Sequence, residues 1–449
     1  MLLEPGCYYR PSSQPGRDGV GPRKHGETGA PTNGAPKTNM KRLLMIAYHF
    51  PPIHGSSGVQ RTLRFARYLP EFGWEPTVLS AHERAYERTS TDQLADVPAG
   101  TRVVRAQAWD TARHLSIAGR YPGVLARPDR WLTWWLGAVP AGLDLIRRHK
   151  PDAIWSTYPI ATAHRIAATL HARSGLPWVA DFRDPMAQDG YPKDPATWQS
   201  FARIERHATQ NASISTFTTP SAVNLYRERY PAQASRMSLL ENGYDEETFT
   251  GTNSGAPLTP GKLTLLHSGI VYPSERDPTH LFKALSRLKA ASPETYGKIL
   301  LRFRAPVHED LLTKLAQDHG VESAIEIFPS IGYRDALAEM LRADGLLILQ
   351  AANCNAQIPA KFYEYLRAGR PILALTDPKG DTARSARAAG INAIAPLDNG
   401  AEIAALLDRF CATPSLGTLA SEEAVASASR RGRTAVLADL LDGVITARR

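Results

Sequence analysis

The chain has 449 residues, 43% of them apolar, which is too long for one ordinary core and points to two globular domains with extensions. Three cysteines, Cys7, Cys354 and Cys411, stand far apart with no CxxC or Cys/His spacing, which argues against a disulfide framework and a structural zinc site. The formal charge of +9 suits an anionic partner, but no long Lys/Arg block or nucleic-acid-binding motif occurs, so phosphorylated substrates or anionic lipids are favoured over nucleic acid.

Residues 1–40 are rich in Gly, Pro, Ser, Thr and Arg and have almost no apolar periodicity. Such a segment cannot bury enough surface to offset its ordering entropy and is expected to be a disordered extension, with Met40 as an alternative start. No apolar run approaches the roughly 20 residues that span a bilayer, and no charged-then-apolar leader opens the chain. The expected location is cytoplasmic, with peripheral contact at the inner face of the cell membrane as an open reading.

The run Lys41-Arg42-Leu43-Leu44-Met45-Ile46-Ala47 has the continuous apolar character of a buried parallel strand. After it, strand-like runs at 75–80, 101–106, 152–157, 176–182, 213–218 and 237–241 alternate with helical periodicity at 59–72, 131–149, 161–174, 197–209 and 222–230. Alternation of this kind predicts a parallel sheet, here a first domain over 41–245. Turn formers crowd 250–260, so 246–260 is read as a linker. A second alternation follows, with strands at 263–267, 299–304, 324–328, 345–350, 371–375 and 392–395, giving a second domain over 261–420. Residues 421–445 read as one terminal helix within a C-terminal segment, 421–449, that packs back on the first domain, with Val425, Leu437, Leu440 and Leu441 on its apolar face. The fold class is thus α/β, with two Rossmann-like domains facing a cleft.

Three runs carry candidate chemistry. The turn after the first strand contains Gly55-Ser56-Ser57-Gly58 at a helix start, where backbone N–H groups can approach an anion. It is neither a Walker loop nor a GxGxxG fingerprint, which weakens ATP and NAD as ligands. The second run is His267-Ser268-Gly269 followed by Arg276, a guanidinium able to fork onto a diphosphate, or else to pair with Asp277. In the third, Pro359-Ala360-Lys361-Phe362-Tyr363-Glu364-Tyr365, Lys361 and Glu364 share one helix face near its N-terminus. A cation there suits a diphosphate and a carboxylate suits ribose hydroxyls, although an ordinary surface ion pair would look the same.

Together with Asp181-Phe182-Arg183-Asp184-Pro185 and Glu241-Asn242-Gly243-Tyr244-Asp245, these motifs occur in the order found in the bacterial group-4-like glycosyltransferases of GT-B fold, which the chain resembles over about 41–420. The resemblance implies a nucleotide-diphosphate sugar as co-substrate, UDP- or GDP-linked and held mainly by the second domain. It also implies a glycan or lipid-linked acceptor held mainly by the first domain, retention of anomeric configuration, and a role in cell-surface glycan or polysaccharide assembly. Glu364 would bind the ribose, and Lys361 and Arg276 would neutralise the departing diphosphate without a metal or further cofactor. Gly55, Ser57, Gly58 and Gly269 would let donor phosphates approach, and Asp181 would serve the acceptor side of catalysis.

The chain departs from this pattern at Ala356, where many relatives carry a second Glu eight positions before the ribose-binding one. A sugar-nucleotide epimerase of the same fold and an inactive nucleotide-binding homologue therefore stand as alternatives. Trp131, Trp134 and Trp135 lie beside Arg127 and Arg130 and allow a membrane-interface patch, but a core helix with buried tryptophans takes precedence because large aromatics dominate cores.

Overall fold

A strand covered on both faces must be apolar along its whole length, and the short apolar runs of the sequence become strands of this kind. The computed structural model describes residues 40–54, 58–91, 93–252 and 255–447; apart from Met40, the expected N-terminal extension lies outside them. The first strands are β1 (Lys41–Ile46), β2 (Trp74–Ala81), β3 (Arg102–Ala106), β4 (Ala153–Thr157), β5 (Trp178–Arg183), β6 (Ile214–Phe217) and β7 (Met237–Leu239). They form one sheet in the order β3-β2-β1-β4-β5-β6-β7. A second sheet, in the order β10-β9-β8-β11-β12-β13, is built from β8 (Leu263–Ser268), β9 (Ile299–Arg304), β10 (Ile325–Phe328), β11 (Gly345–Gln350), β12 (Ile372–Thr376) and β13 (Ile394–Ala395).

Pairing is parallel in both sheets, for example Leu44 with Thr77 and Ile154, and Leu265 with Leu301. The strand order reverses beside β1 in one sheet and beside β8 in the other, as in doubly wound Rossmann folds. By its contacts the chain divides into two compact units, Met1–Asp181 with Met186–Ser215 and Ala438–Arg449, and Phe182–Pro185 with Thr216–Leu437. Residues 216–245, read from sequence as the end of the first domain, cluster with the second unit.

The second unit shows how the sequence builds a sandwich. On one face of its sheet, Leu265, Leu301, Leu347 and Leu373 pack with helices Thr279–Ala291 and Gly400–Ala412. The neighbouring residues Leu266, Leu346, Ile348 and Ile372 point the other way and pack with helices Tyr333–Arg342 and Ala360–Ala368. This period-two switch between two apolar cores is why the strands show no polar alternation.

The predicted terminal helix is broken. Helices Glu422–Ser427 and Arg430–Thr446 are separated at Ala428 and Ser429, where the Ala428 carbonyl and the Arg430 N–H are engaged elsewhere. Tyr244 donates its N–H to the Ala428 carbonyl at 3.1 Å and accepts from the Arg430 N–H at 2.7 Å. The Glu-Asn-Gly-Tyr-Asp motif therefore has a structural role: a Cβ on Gly243 would stand 2.5 Å from the Ala428 oxygen, and Glu241 binds Arg433 at 2.7 Å. Among the described residues no helix is long and apolar enough to cross a membrane.

Gly345 opens β11, and a Cβ there would lie 2.5 Å from a Leu265 methyl and 3.1 Å from the Phe410 ring. Gly345→Ala is expected to destabilise the second unit by about 1–3 kcal/mol through overpacking, seen as a lower midpoint in urea unfolding followed by circular dichroism.

Candidate functional site

In a doubly wound sheet, ligands gather beyond the carboxyl ends of the strands where the order reverses. In the second sheet that place lies between β8 and β11, and His267, Ser268 and Gly269 stand there. Gly269 has φ +141°, a conformation that disfavours side chains, and a Cβ built on it would meet nothing within 4 Å. It therefore leaves bare backbone beside open space. The Ser268 N–H is directed to the hydroxyl of buried Tyr365 at 3.0 Å, which ties the strand end to helix Ala360–Ala368.

His267 is buried, with Nδ1 3.0 Å from the Leu347 carbonyl and Nε2 without a hydrogen-bond partner among the described residues. Burial lowers its pKa to about 4; the bond to Leu347 opposes this, while Arg276 and Lys361 add to it. The ring is neutral at pH 7, with Nδ1 donating and Nε2 free to accept.

Arg276 extends one guanidinium nitrogen to the Ile270 carbonyl at 2.7 Å and lies over the Tyr272 ring at 5.3 Å. The alternative of a pair with Asp277 does not form, because Asp277 accepts from Thr279 through both backbone (2.9 Å) and hydroxyl (2.6 Å) and so opens the next helix. Among the described residues Arg276 has no carboxylate partner. Its charge therefore stays uncompensated near His267 and Lys361.

Lys361 and Glu364 occupy the first turns of helix Ala360–Ala368, whose N-terminus carries no side-chain cap. Lys361 Nζ lies 2.9 Å from Glu364 Oε2, so the i,i+3 pair anticipated as the ordinary alternative is formed. The contact lacks hydrogen-bond geometry, however, and Oε2 is a buried acceptor without a hydrogen bond. Oε1 is taken by Tyr333, whose hydroxyl donates to it at 2.8 Å while Lys361 Nζ stands 5.8 Å from the Tyr333 ring centre. Burial, then the nearby Glu364 carboxylate, raises the Tyr333 pKa above the ordinary phenol range and keeps it a donor. Sequence reasoning missed Tyr333 because it sits 31 residues from Glu364, on another helix.

The sites expected in the first unit fare differently. Gly55 and Ser57 lie outside the described residues, and Gly58 is the buried first residue of helix Gly58–Tyr68. Asp181, expected on the acceptor side, is held by buried partners. It has 0% exposure and receives Arg61 through two 2.8 Å bonds and Thr157 through a third, also of 2.8 Å. Arg183, beside it, adopts φ +63°. The tryptophan cluster is core: Trp134 is fully buried, Trp131 Nε1 donates to the Ala85 carbonyl at 3.3 Å, and Trp135 Nε1 donates to Thr169 at 3.0 Å.

Residues 57–243 match the family model described as the glycosyl transferase 4-like domain. This segment is similar to a glycosyl transferase 4-like domain. Among solved structures the chain is similar to HepE of Anabaena in complex with UDP-glucose, at 13% identity and a TM-score of 0.54, over 90% of this chain and 99% of that one. It is also similar to a glycosyltransferase from Rickettsia africae (12%, TM-score 0.61, 91% and 99% covered) and to the trehalose 6-phosphate synthase of Burkholderia multivorans (13%, TM-score 0.60, 91% and 100% covered). No curated protein matches the chain in sequence. The fold is GT-B, and the resemblance to group-4-like glycosyltransferases read from the ordered motifs holds. The glycosyl transferase 4-like domain accounts for the Asp-Phe-Arg-Asp-Pro and Glu-Asn-Gly motifs; Lys361, Glu364 and Arg276 lie beyond the matched segment.

Two outcomes are expected. Asp181→Ala, which strands a buried guanidinium, should cost about 3–5 kcal/mol in thermal or urea unfolding. The unfolded chain, with a His pKa near 6.5, binds a proton that native His267 refuses until about pH 4, so stability should fall as pH drops through that window. His267→Gln should flatten part of that acid-induced loss, measured as melting temperature against pH.

Proposed function

We propose that the chain is a retaining glycosyltransferase that moves a hexosyl group from a UDP- or GDP-linked donor to a glycan or lipid-linked acceptor in cell-surface glycan assembly. The observation that carries the donor site is Glu364 Oε2, a buried carboxylate oxygen without a hydrogen bond, held beside Lys361 at an uncapped helix N-terminus. An ion-paired carboxylate oxygen keeps lone pairs for further donors, and a ribose hydroxyl is such a donor.

Tyr333 fixes the carboxylate by its other oxygen, so the ribose meets a preorganised acceptor. Lys361 and the unpaired Arg276 supply positive charge for the diphosphate as it departs, in a setting where donors fixed in advance stabilise developing charge. Gly269 leaves room for phosphate to approach the end of β8. Neutral His267 adds a hydrogen-bond acceptor at that strand end. The glycosyl transferase 4-like domain supports the reaction class, and the UDP-glucose complex of HepE, a neighbour in fold, supports the donor class. Ala356, in place of a second acid, keeps an inactive nucleotide-binding homologue as the rival reading.

Thermal unfolding of the full chain against UDP, GDP, ADP, CMP and NAD tests the site. A nucleoside diphosphate at 100 times its dissociation constant should stabilise the protein by about 2.7 kcal/mol, and Glu364→Ala should abolish the shift. If no nucleoside diphosphate raises the melting temperature, the donor reading is wrong. Analysis of products from the matching nucleotide sugar then separates transfer with retention from epimerisation, and the absence of any product would identify the inactive homologue.

A further inference from the structure

The donor reading gives partners to ribose and diphosphate but none to the base, and one aromatic ring of the second unit stands open beside that site. Of the Phe and Tyr rings of the second unit, among the described residues, Tyr333 alone is exposed, at 50%. The others are buried or half-buried. Tyr363 and Tyr365 are each 1% exposed, and Phe328 lies under the guanidinium groups of Arg302 and Arg304, at 4.9 and 4.8 Å.

Tyr333 opens helix Tyr333–Arg342 just beyond the carboxyl end of β10, on the same edge of the sheet as His267, Ser268 and Gly269. Its hydroxyl is tied to Glu364 Oε1 at 2.8 Å, so the ring is held in place while its surface stays open. Lys361 Nζ, on the neighbouring helix, stands 5.8 Å from the ring centre. Pro329 and Ser330 in the preceding loop are themselves exposed, and Gly332 brings no side chain to cover the ring.

A lone exposed tyrosine is ordinary on a protein surface. Tyr333 differs because it holds the carboxylate whose other oxygen is read as the ribose partner. In a nucleotide the base hangs from the carbon next to the one that bears the 2′-hydroxyl. A ribose bound at Glu364 therefore carries its base within reach of a ring bonded to the same carboxylate. A fixed, open ring presents a π face, and every base has one to lay against it. We infer that Tyr333 is the platform on which the base of the donor nucleotide stacks. The inference rests on the donor-site reading of Glu364 and deepens it: the hydroxyl orients the carboxylate for the ribose, and the ring takes the base. Stacking needs no particular pattern of donors and acceptors, so the platform serves uracil, guanine and adenine alike, and selection among them falls to other groups.

Dissociation constants of UDP, GDP and ADP, measured by calorimetry on the full chain and on Tyr333→Phe, Tyr333→Trp and Tyr333→Leu, test it. All three variants lose the hydroxyl bond to Glu364, but only Tyr333→Leu loses the aromatic face. Tyr333→Phe should weaken every diphosphate that the wild type binds by about fivefold. Tyr333→Leu should weaken each by about a further twentyfold, the measure of one lost base stack. Tyr333→Trp, with a larger face, should bind at least as tightly as Tyr333→Phe. Melting curves without ligand check that each variant is folded. Equal affinities of Tyr333→Phe and Tyr333→Leu, or wild-type affinity in Tyr333→Leu, would overturn the inference and leave the donor site standing, because the ring would then add nothing to binding. A wild type that binds no nucleoside diphosphate would overturn both.

Discussion

Parallel pairing is the constraint from which the rest follows. It places the carboxyl ends of all strands of a sheet along one edge, and each strand must be reached by a crossover that covers a face. In the second sheet that edge gathers His267 and Ser268 at the end of β8, Gly269 just after it, and Gln350 at the end of β11. In the first sheet it holds Asp181, near the end of β5, and Thr157, at the end of β4, which bond to each other. Residues distant in sequence meet because strand direction leaves them no other edge.

The two kinds of charge at these edges behave oppositely. Asp181 and Arg61 are both buried and satisfy each other through two bonds, so the pair fixes helix Gly58–Tyr68 on the sheet. Glu364 is less buried, with a side chain 17% exposed, yet one of its oxygens lacks a hydrogen bond. A closed pair suits architecture, whereas an incompletely satisfied carboxylate suits a ligand.

Much of this was legible in the sequence. Apolar runs located the strands to within a residue or two, because strands buried on both faces cannot hide polar positions. The Lys361 and Glu364 spacing announced a shared helix face. What was not legible depends on partners remote along the chain, Tyr333 meeting Glu364 and Arg61 meeting Asp181, and on Thr279 claiming nearby Asp277 from Arg276. Helical periodicity also ran unbroken through 421–445 while the backbone of Tyr244, far upstream, took the hydrogen bonds of Ala428 and Arg430. The sequence boundary at 246–260 followed turn composition; residues 216–245 add strand β7 to the first sheet and also bond within the second unit, where Ser221 donates to Asp381 (3.0 and 3.1 Å) and Thr219 to the Ala356 carbonyl (3.1 Å).

The first unit draws on both ends of the described chain. Asp442 accepts from Trp74 Nε1 at 2.9 Å and binds Lys41 of β1. A ribosome releases residues in order, so Trp74 of β2 and Lys41 of β1 must wait 368 and 401 residues before Asp442 emerges. The second unit's segment Thr216–Leu437 is by then fully synthesised. Vectorial synthesis therefore inverts the order of completion: the unit begun first is closed last, and a nascent chain stalled before Asp442 would present Trp74 and Lys41 without that acceptor.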